Sequence, residues 1–140
     1  MPRVVIRRKT RGAVRSRVIR KANRTRKASG LELEIHAMMK AEKIPFTKEK
    51  TIGRCHADIF IEPNKVIELN GCYWHRHQKC QTRVPSVMQL KSMASDARRY
   101  AFFKRLGFDL HVIWECELKQ GPEVVRMKLR KIAQKDLNAN

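Results

Sequence analysis

The chain has 140 residues, 42% of them hydrophobic, which suffices for one domain with a real core and excludes a disordered chain. Lys and Arg total 32 against 13 Asp and Glu, giving a net charge of +19. No apolar run approaches a bilayer span and the N-terminus lacks a signal peptide's apolar region, so no membrane partner is expected and a soluble, cytoplasmic protein is.

Residues 1–28 hold twelve Lys/Arg and no acid. Such a block repels itself without a partner and reads as a partly disordered arm laid on phosphates, with Arg15, Arg17, Arg20, Lys21, Arg24, Arg26 and Lys27 as its phosphate contacts. A domain over 29–140 follows. Ser29 caps a predicted helix from Gly30 that fades before Pro45, with Leu31, Ile35, Met38 and Met39 on one face. Residues 56–62 and 66–70 read as strands joined by a tight turn at Pro63-Asn64-Lys65. Residues 89–106 read as a helix with Leu90, Met93, Ala97, Ala101, Phe102 and Leu106 as its apolar stripe, stopped by Gly107. Residues 108–114 form a third, largely buried strand. Pro122 to Leu137 is a final helix with Val125, Leu129 and Ile132 inward.

A field this basic concentrates polyanions, and each neutralised phosphate frees a counterion, so nucleic acid is the expected partner. A membrane surface fits less well, because the basic stretches lack an opposing apolar face.

Three of the four cysteines lie near histidines. Cys72, His77 and Cys80 are spaced by five and three residues, and Cys116 follows the third strand. If the strands at 66–70 and 108–114 run side by side, their ends bring Cys116 to the loop. Three thiolates and one imidazole make a closed, structural zinc site. Cys55-His56 is a rival ligand pair, ranked lower because its strand runs away from the loop.

Carboxylates are scarce here, so their positions are informative. Asp58 and Glu68 sit in otherwise apolar strands, where an unpaired acid is costly. On adjacent antiparallel strands they can meet on one face, and hard oxygen ligands of this kind suit Mg²⁺ beside a phosphodiester. His75 remains once His77 is given to zinc, and its imidazole can move a proton near working pH. Glu32 is a first-turn acid of the first helix, with Glu34 competing for its role. Asp96, in the second long helix, is either part of the site or a surface partner for Arg98 or Arg99. Tyr73 and Trp74 either wedge into a base step or pack beneath the zinc loop. Arg76 beside them is a further expected DNA contact.

Gly71-Cys72-Tyr73-Trp74-His75, a later Cys80, Arg105-Leu106-Gly107-Phe108 and Val112-Ile113-Trp114-Glu115-Cys116-Glu117-Leu118 closely resemble the very-short-patch repair (Vsr-type) endonucleases, from about Ser29 to Leu118. The resemblance implies an α/β fold with a restriction-endonuclease-like core, structural zinc and Mg²⁺-dependent cleavage of DNA. It places the zinc ligands on Cys72, His77, Cys80 and Cys116. It also places the family's acids and histidine on Glu32, Asp58, His75 and Asp96, a pattern shared with phage-borne homing relatives. Glu68 is a departure: it stands where the repair enzymes are apolar and restores the second carboxylate of the wider nuclease superfamily, with Asn70 where that superfamily often has lysine. A Phe-Trp pair those enzymes carry after the loop is absent around Pro85–Leu90. The expected substrate is therefore open among mismatched, branched, nicked and homing-site duplex DNA, cut by a monomer or homodimer. The competing class is a non-catalytic, zinc-stabilised, basic RNA- or DNA-binding protein, which leaves Asp58, Glu68 and His75 without a role.

Overall fold

The computed structural model describes residues 27–134. The expected contacts Arg15, Arg17, Arg20, Lys21, Arg24 and Arg26 lie outside the described residues, whereas Lys27 is exposed at their boundary. Helix α1 spans Gly30–Ala41, and Ser29 Oγ accepts from the Glu32 N–H at 3.2 Å, as the cap residue type requires. Strands β1 (Thr47–Ile52), β2 (Cys55–Ile61) and β3 (Lys65–Asn70) form an antiparallel meander. Helix α2 (Val87–Arg105) then leads to β4 (Asp109–Trp114), short helix α3 (Glu115–Gln120) and helix α4 (Pro122–Gln134). Among the described residues, no helix is long and apolar enough to cross a membrane.

The sheet order is β1-β2-β3-β4, and β3 pairs with β4 in parallel from Lys65↔Asp109 to Asn70↔Trp114. The parallel step is what a helical crossover through α2 permits. On one face, Ile35 and Met39 of α1 and Val125, Leu129 and Ile132 of α4 meet Ile59, Ile67 and Ile113 of the sheet. Each such fully buried side chain stabilises by about 1.5–3 kcal/mol. On the other face, Phe103 of α2 packs with Ala57, Phe60 and Val66.

Two predicted features are corrected. Most of the apolar stripe assigned to α2 does not face the core: Leu90 and Leu106 are about half exposed, Phe102 packs against the core, and the buried residues are Gln89, Asp96 and Phe103. The helix lies over polar side chains of β3, so its inward face carries their partners. The strand β4 is only partly buried apart from Ile113, because it is an edge strand. Two elements escaped prediction. β1, Thr-Lys-Glu-Lys-Thr-Ile, has almost no apolar alternation and forms by pairing along β2 as the opposite edge. α3 is under two turns long. Gly107 does end α2: at φ +85° it lets the Phe108 N–H reach the Phe103 carbonyl at 3.1 Å.

Candidate active site and metal centre

The parallel pairing of β3 and β4 brings two chain segments to one sheet end. Cys72 leaves β3, and Cys116 lies in the first turn of α3, just beyond β4. Between them the loop folds tightly: His75 N–H donates to the Gly71 carbonyl at 3.1 Å and His77 N–H to the Cys72 carbonyl at 2.9 Å. The ligand atoms of Cys72, His77, Cys80 and Cys116 all lie within 4.8 Å of one another. His77 Nδ1 is 3.3 Å from the sulfurs of both Cys80 and Cys116, and its ring stacks on Trp114 at 4.3 Å between centroids. Burial pushes the Cys72 thiol up to about 12 and raises Cys116 as well. Without a cation that burial favours the neutral thiols; three sulfurs and one imidazole converging this closely are the donor set of a soft-ligand metal ion, which would stabilise the thiolates. Cys55 and His56 are elsewhere: they line a groove, and His56 Nδ1 lies 3.2 Å from the Thr51 hydroxyl.

The carboxylates form a second, connected group. The β2–β3 register runs Ile61↔Lys65, Phe60↔Val66 and Ile59↔Ile67. Beyond it the side chains take over as backbone partners. The Leu69 N–H donates to Asp58 Oδ2 at 2.9 Å, and the Asp58 N–H donates to Glu68 Oε1 at 3.4 Å. Arg99 of α2 then bridges inward: its Nη2 lies 2.6 Å from Glu68 Oε2 and 3.2 Å from Asp96 Oδ1. His75 Nδ1 donates to the other Asp96 oxygen at 2.6 Å. The result is a line of charge, His75–Asp96–Arg99–Glu68–Asp58. Asp96 thus partners both Arg99 and His75. Glu68 has a side chain only 1% exposed; burial and then the Asp58 charge push its acid up to about 7, against the pull of Arg99. Asp58 and Glu68 are thus two neighbouring acids served by one guanidinium, a hard-oxygen pair of the kind a divalent cation takes.

Asp58 lines a groove of about 800 Å³ whose other walls include Arg54, Arg98, Arg99, Phe102 and Arg105. Glu32 is buried in the first turn of α1, on the opposite face of the sheet from α2. His36, one turn further along α1, is buried against Phe46 at 5.3 Å, and burial first, then Lys48 and Lys40, lower its pKa while Asp58 raises it. Tyr73 and Trp74 do not pack beneath the loop: Trp74 is 62% exposed and meets Tyr73 edge-to-face at 5.1 Å. Arg76 adopts φ +48° and donates to the Arg83 carbonyl at 2.6 Å, bracing the loop.

Sequence reasoning offered Arg99 only as a surface partner of Asp96, and missed its reach to Glu68, Tyr100 and the arginine groove. The signal was present as polar residues at 89, 92, 96, 99 and 100, which follow helical spacing as closely as the apolar series does.

A mixed four-stranded sheet with helices on both faces defines the class of fold. It is shared with the solved structure titled Homing Endonuclease I-Bth0305I Catalytic Domain, at TM-score 0.56 and 16% identity over 75% of this chain and 94% of that one. In sequence, the chain is 26% identical over 83 residues to the Type II nicking enzyme V.NmeAIP of Neisseria meningitidis serogroup A / serotype 4A (strain DSM 15465 / Z2491). The match covers 54% of this chain and 59% of that enzyme, so the chain spans about three-fifths of its curated relative's length. No protein-family model matches the chain.

Proposed function

We propose that this protein is a Mg²⁺-dependent DNA endonuclease of the Vsr-like type, braced by structural zinc on Cys72, His77, Cys80 and Cys116. The observation that carries the reading is Asp58, set beside Glu68 in an arginine-walled groove and joined through Arg99 and Asp96 to His75. The similarity to a nicking enzyme and the fold of a homing endonuclease catalytic domain support the same class.

Asp58 and Glu68 would hold Mg²⁺, which when bound polarises a phosphoryl oxygen and stabilises the leaving oxygen. Arg54, Arg98 and Arg105 seat the DNA backbone in the groove by neutralising phosphates. Asp96 fixes the ring of His75 by accepting from its Nδ1, so the other ring nitrogen of His75 takes a proton from attacking water or returns one to the leaving oxygen. Tyr73 and Trp74, exposed beside the site, contact the bases. The substrate is double-stranded DNA, with mismatched, branched, nicked and homing-site duplexes as the candidate forms.

The test is plasmid nicking by zinc-loaded protein with and without added Mg²⁺, followed by a panel of duplex, mismatched, flapped and four-way DNA. Wild type nicks only with Mg²⁺, and Asp58→Ala does not. Failure to cut any of these substrates sinks the enzyme reading; normal cutting by Asp58→Ala sinks the site assignment.

A further inference from the structure

The two acids of the site differ in how they can be reached. Asp58 is partly exposed and lines the arginine groove, so an ion arriving there meets it directly. Glu68 is closed. Its Oε2 has essentially no accessible surface, and Arg99 Nη2 lies 2.6 Å from that oxygen. Its Oε1 faces the Asp58 N–H at 3.4 Å. Arg99 itself is not sealed in: its side chain is 26% exposed and lines the same groove as Asp58. Asp96, one turn back on α2, holds the same guanidinium nitrogen at 3.2 Å. A guanidinium keeps its proton at any working pH, so it can yield Glu68 to another cation only by moving. If it does, Asp96 still tethers it to the helix, beside the groove.

We infer that Arg99 is the gate of the acid pair: without a divalent ion its guanidinium stands in for that ion at Glu68, and the ion enters by exchanging with it, turning Arg99 toward the DNA phosphate in the groove. Two cations cannot share one carboxylate oxygen at contact distance, and the sealed position of Glu68 leaves the ion no other partner to replace there. The exchange gives up one charge-assisted hydrogen bond, and the freed fork has a phosphate, its other natural partner, within the groove. The inference rests on the reading of Asp58 and Glu68 as the Mg²⁺ ligands; the exchange itself is measurable without DNA or turnover.

The test is NMR of the zinc-loaded, DNA-free protein titrated with Mg²⁺. Two signals are followed: the Arg99 Nε–H, whose nitrogen is buried, and the Leu69 backbone N–H, which donates to Asp58. Both shift as Mg²⁺ is added, and the Arg99 proton exchanges faster with water because its nitrogen has left its buried position. Arg99→Lys keeps the positive charge but has a single ammonium in place of a fork that spans two acids. It binds Mn²⁺ about tenfold more tightly than wild type when free Mn²⁺ is counted by electron paramagnetic resonance, since the ion has a weaker competitor. The inference is overturned if Leu69 shifts while Arg99 keeps its position and exchange rate, a result that leaves the Mg²⁺ site standing without a gate. It is equally overturned if Arg99→Lys binds Mn²⁺ no more tightly than wild type. If neither signal moves, no ion reaches the acids, and the gate and the Mg²⁺ reading fall together.

Discussion

Replacing Glu68 by Gln should flatten the pH dependence of folding stability. The Glu68 carboxyl is sealed under α2, with one oxygen facing the Asp58 N–H and the other facing Arg99. Burial and the neighbouring Asp58 charge raise it from 4.5 to about 7. A raised acid holds its proton more tightly folded than unfolded. The stabilisation is therefore complete below pH 4.5 and is lost as pH rises through 7. At about 1.4 kcal/mol per pH unit, the gap corresponds to about 3 kcal/mol. Urea unfolding of zinc-loaded, magnesium-free protein from pH 5 to 8.5 reads this directly. Glu68→Gln keeps the shape and cannot titrate, so the difference between wild type and variant isolates Glu68 from His36 and the other titrating groups. Wild type should lose about 2.5 kcal/mol relative to the variant across that window, the remainder being lost already between pH 4 and 5. Curves that stay parallel would refute the claim that Glu68 is a buried acid under-compensated by Arg99.

Asp96→Asn removes the carboxylate that accepts from His75 Nδ1 and should slow Mg²⁺-dependent cleavage by about 10²–10⁴-fold; an unchanged rate argues against His75 as the proton carrier. Cys116→Ser should lower bound zinc below one equivalent by elemental analysis and reduce the melting temperature, because its sulfur joins α3 to the loop; full zinc content would remove Cys116 from the ligand set. Trp74→Ala should change stability by no more than about 0.5 kcal/mol, since the ring is mostly in solvent, yet weaken duplex binding in a filter or anisotropy assay. Equal affinity would assign the aromatic pair no role on DNA.

Much of the fold was legible where one face of an element is apolar. α1 and α4 bury the residues their spacing predicts, and β2 and β3 carry continuous apolar runs that suit a sheet covered on both sides. α2 was misread because much of its inward face covers polar side chains of β3, so Leu90 and Leu106 point outward while Phe102 and Phe103 alone of its aromatic and aliphatic run meet the core cluster. β1 was missed because an edge strand exposed on both faces leaves no periodic signal. In the site, ligand spacing sufficed for the Cys/His cluster, because three ligands share one loop and the fourth follows a neighbouring strand. The Asp58–Glu68 proximity was also legible from the hairpin. What the sequence could not show is Arg99, since its importance lies in reaching two carboxylates that belong to different elements.

The start of α2 has one more consequence. Gln89 accepts from the Ser86 N–H and also donates to the Tyr73 carbonyl at 2.8 Å, while Ser86 returns a bond to the Gln89 N–H. The capping box that begins the helix is thus also the tether of the aromatic pair. Tyr73 and Trp74 are held out into solvent by a joint set during folding, so their backbone has already lost its freedom before DNA arrives. An aromatic wedge on a floppy loop would surrender that freedom on binding; in the proposed role on DNA, this pair would bind already preorganised.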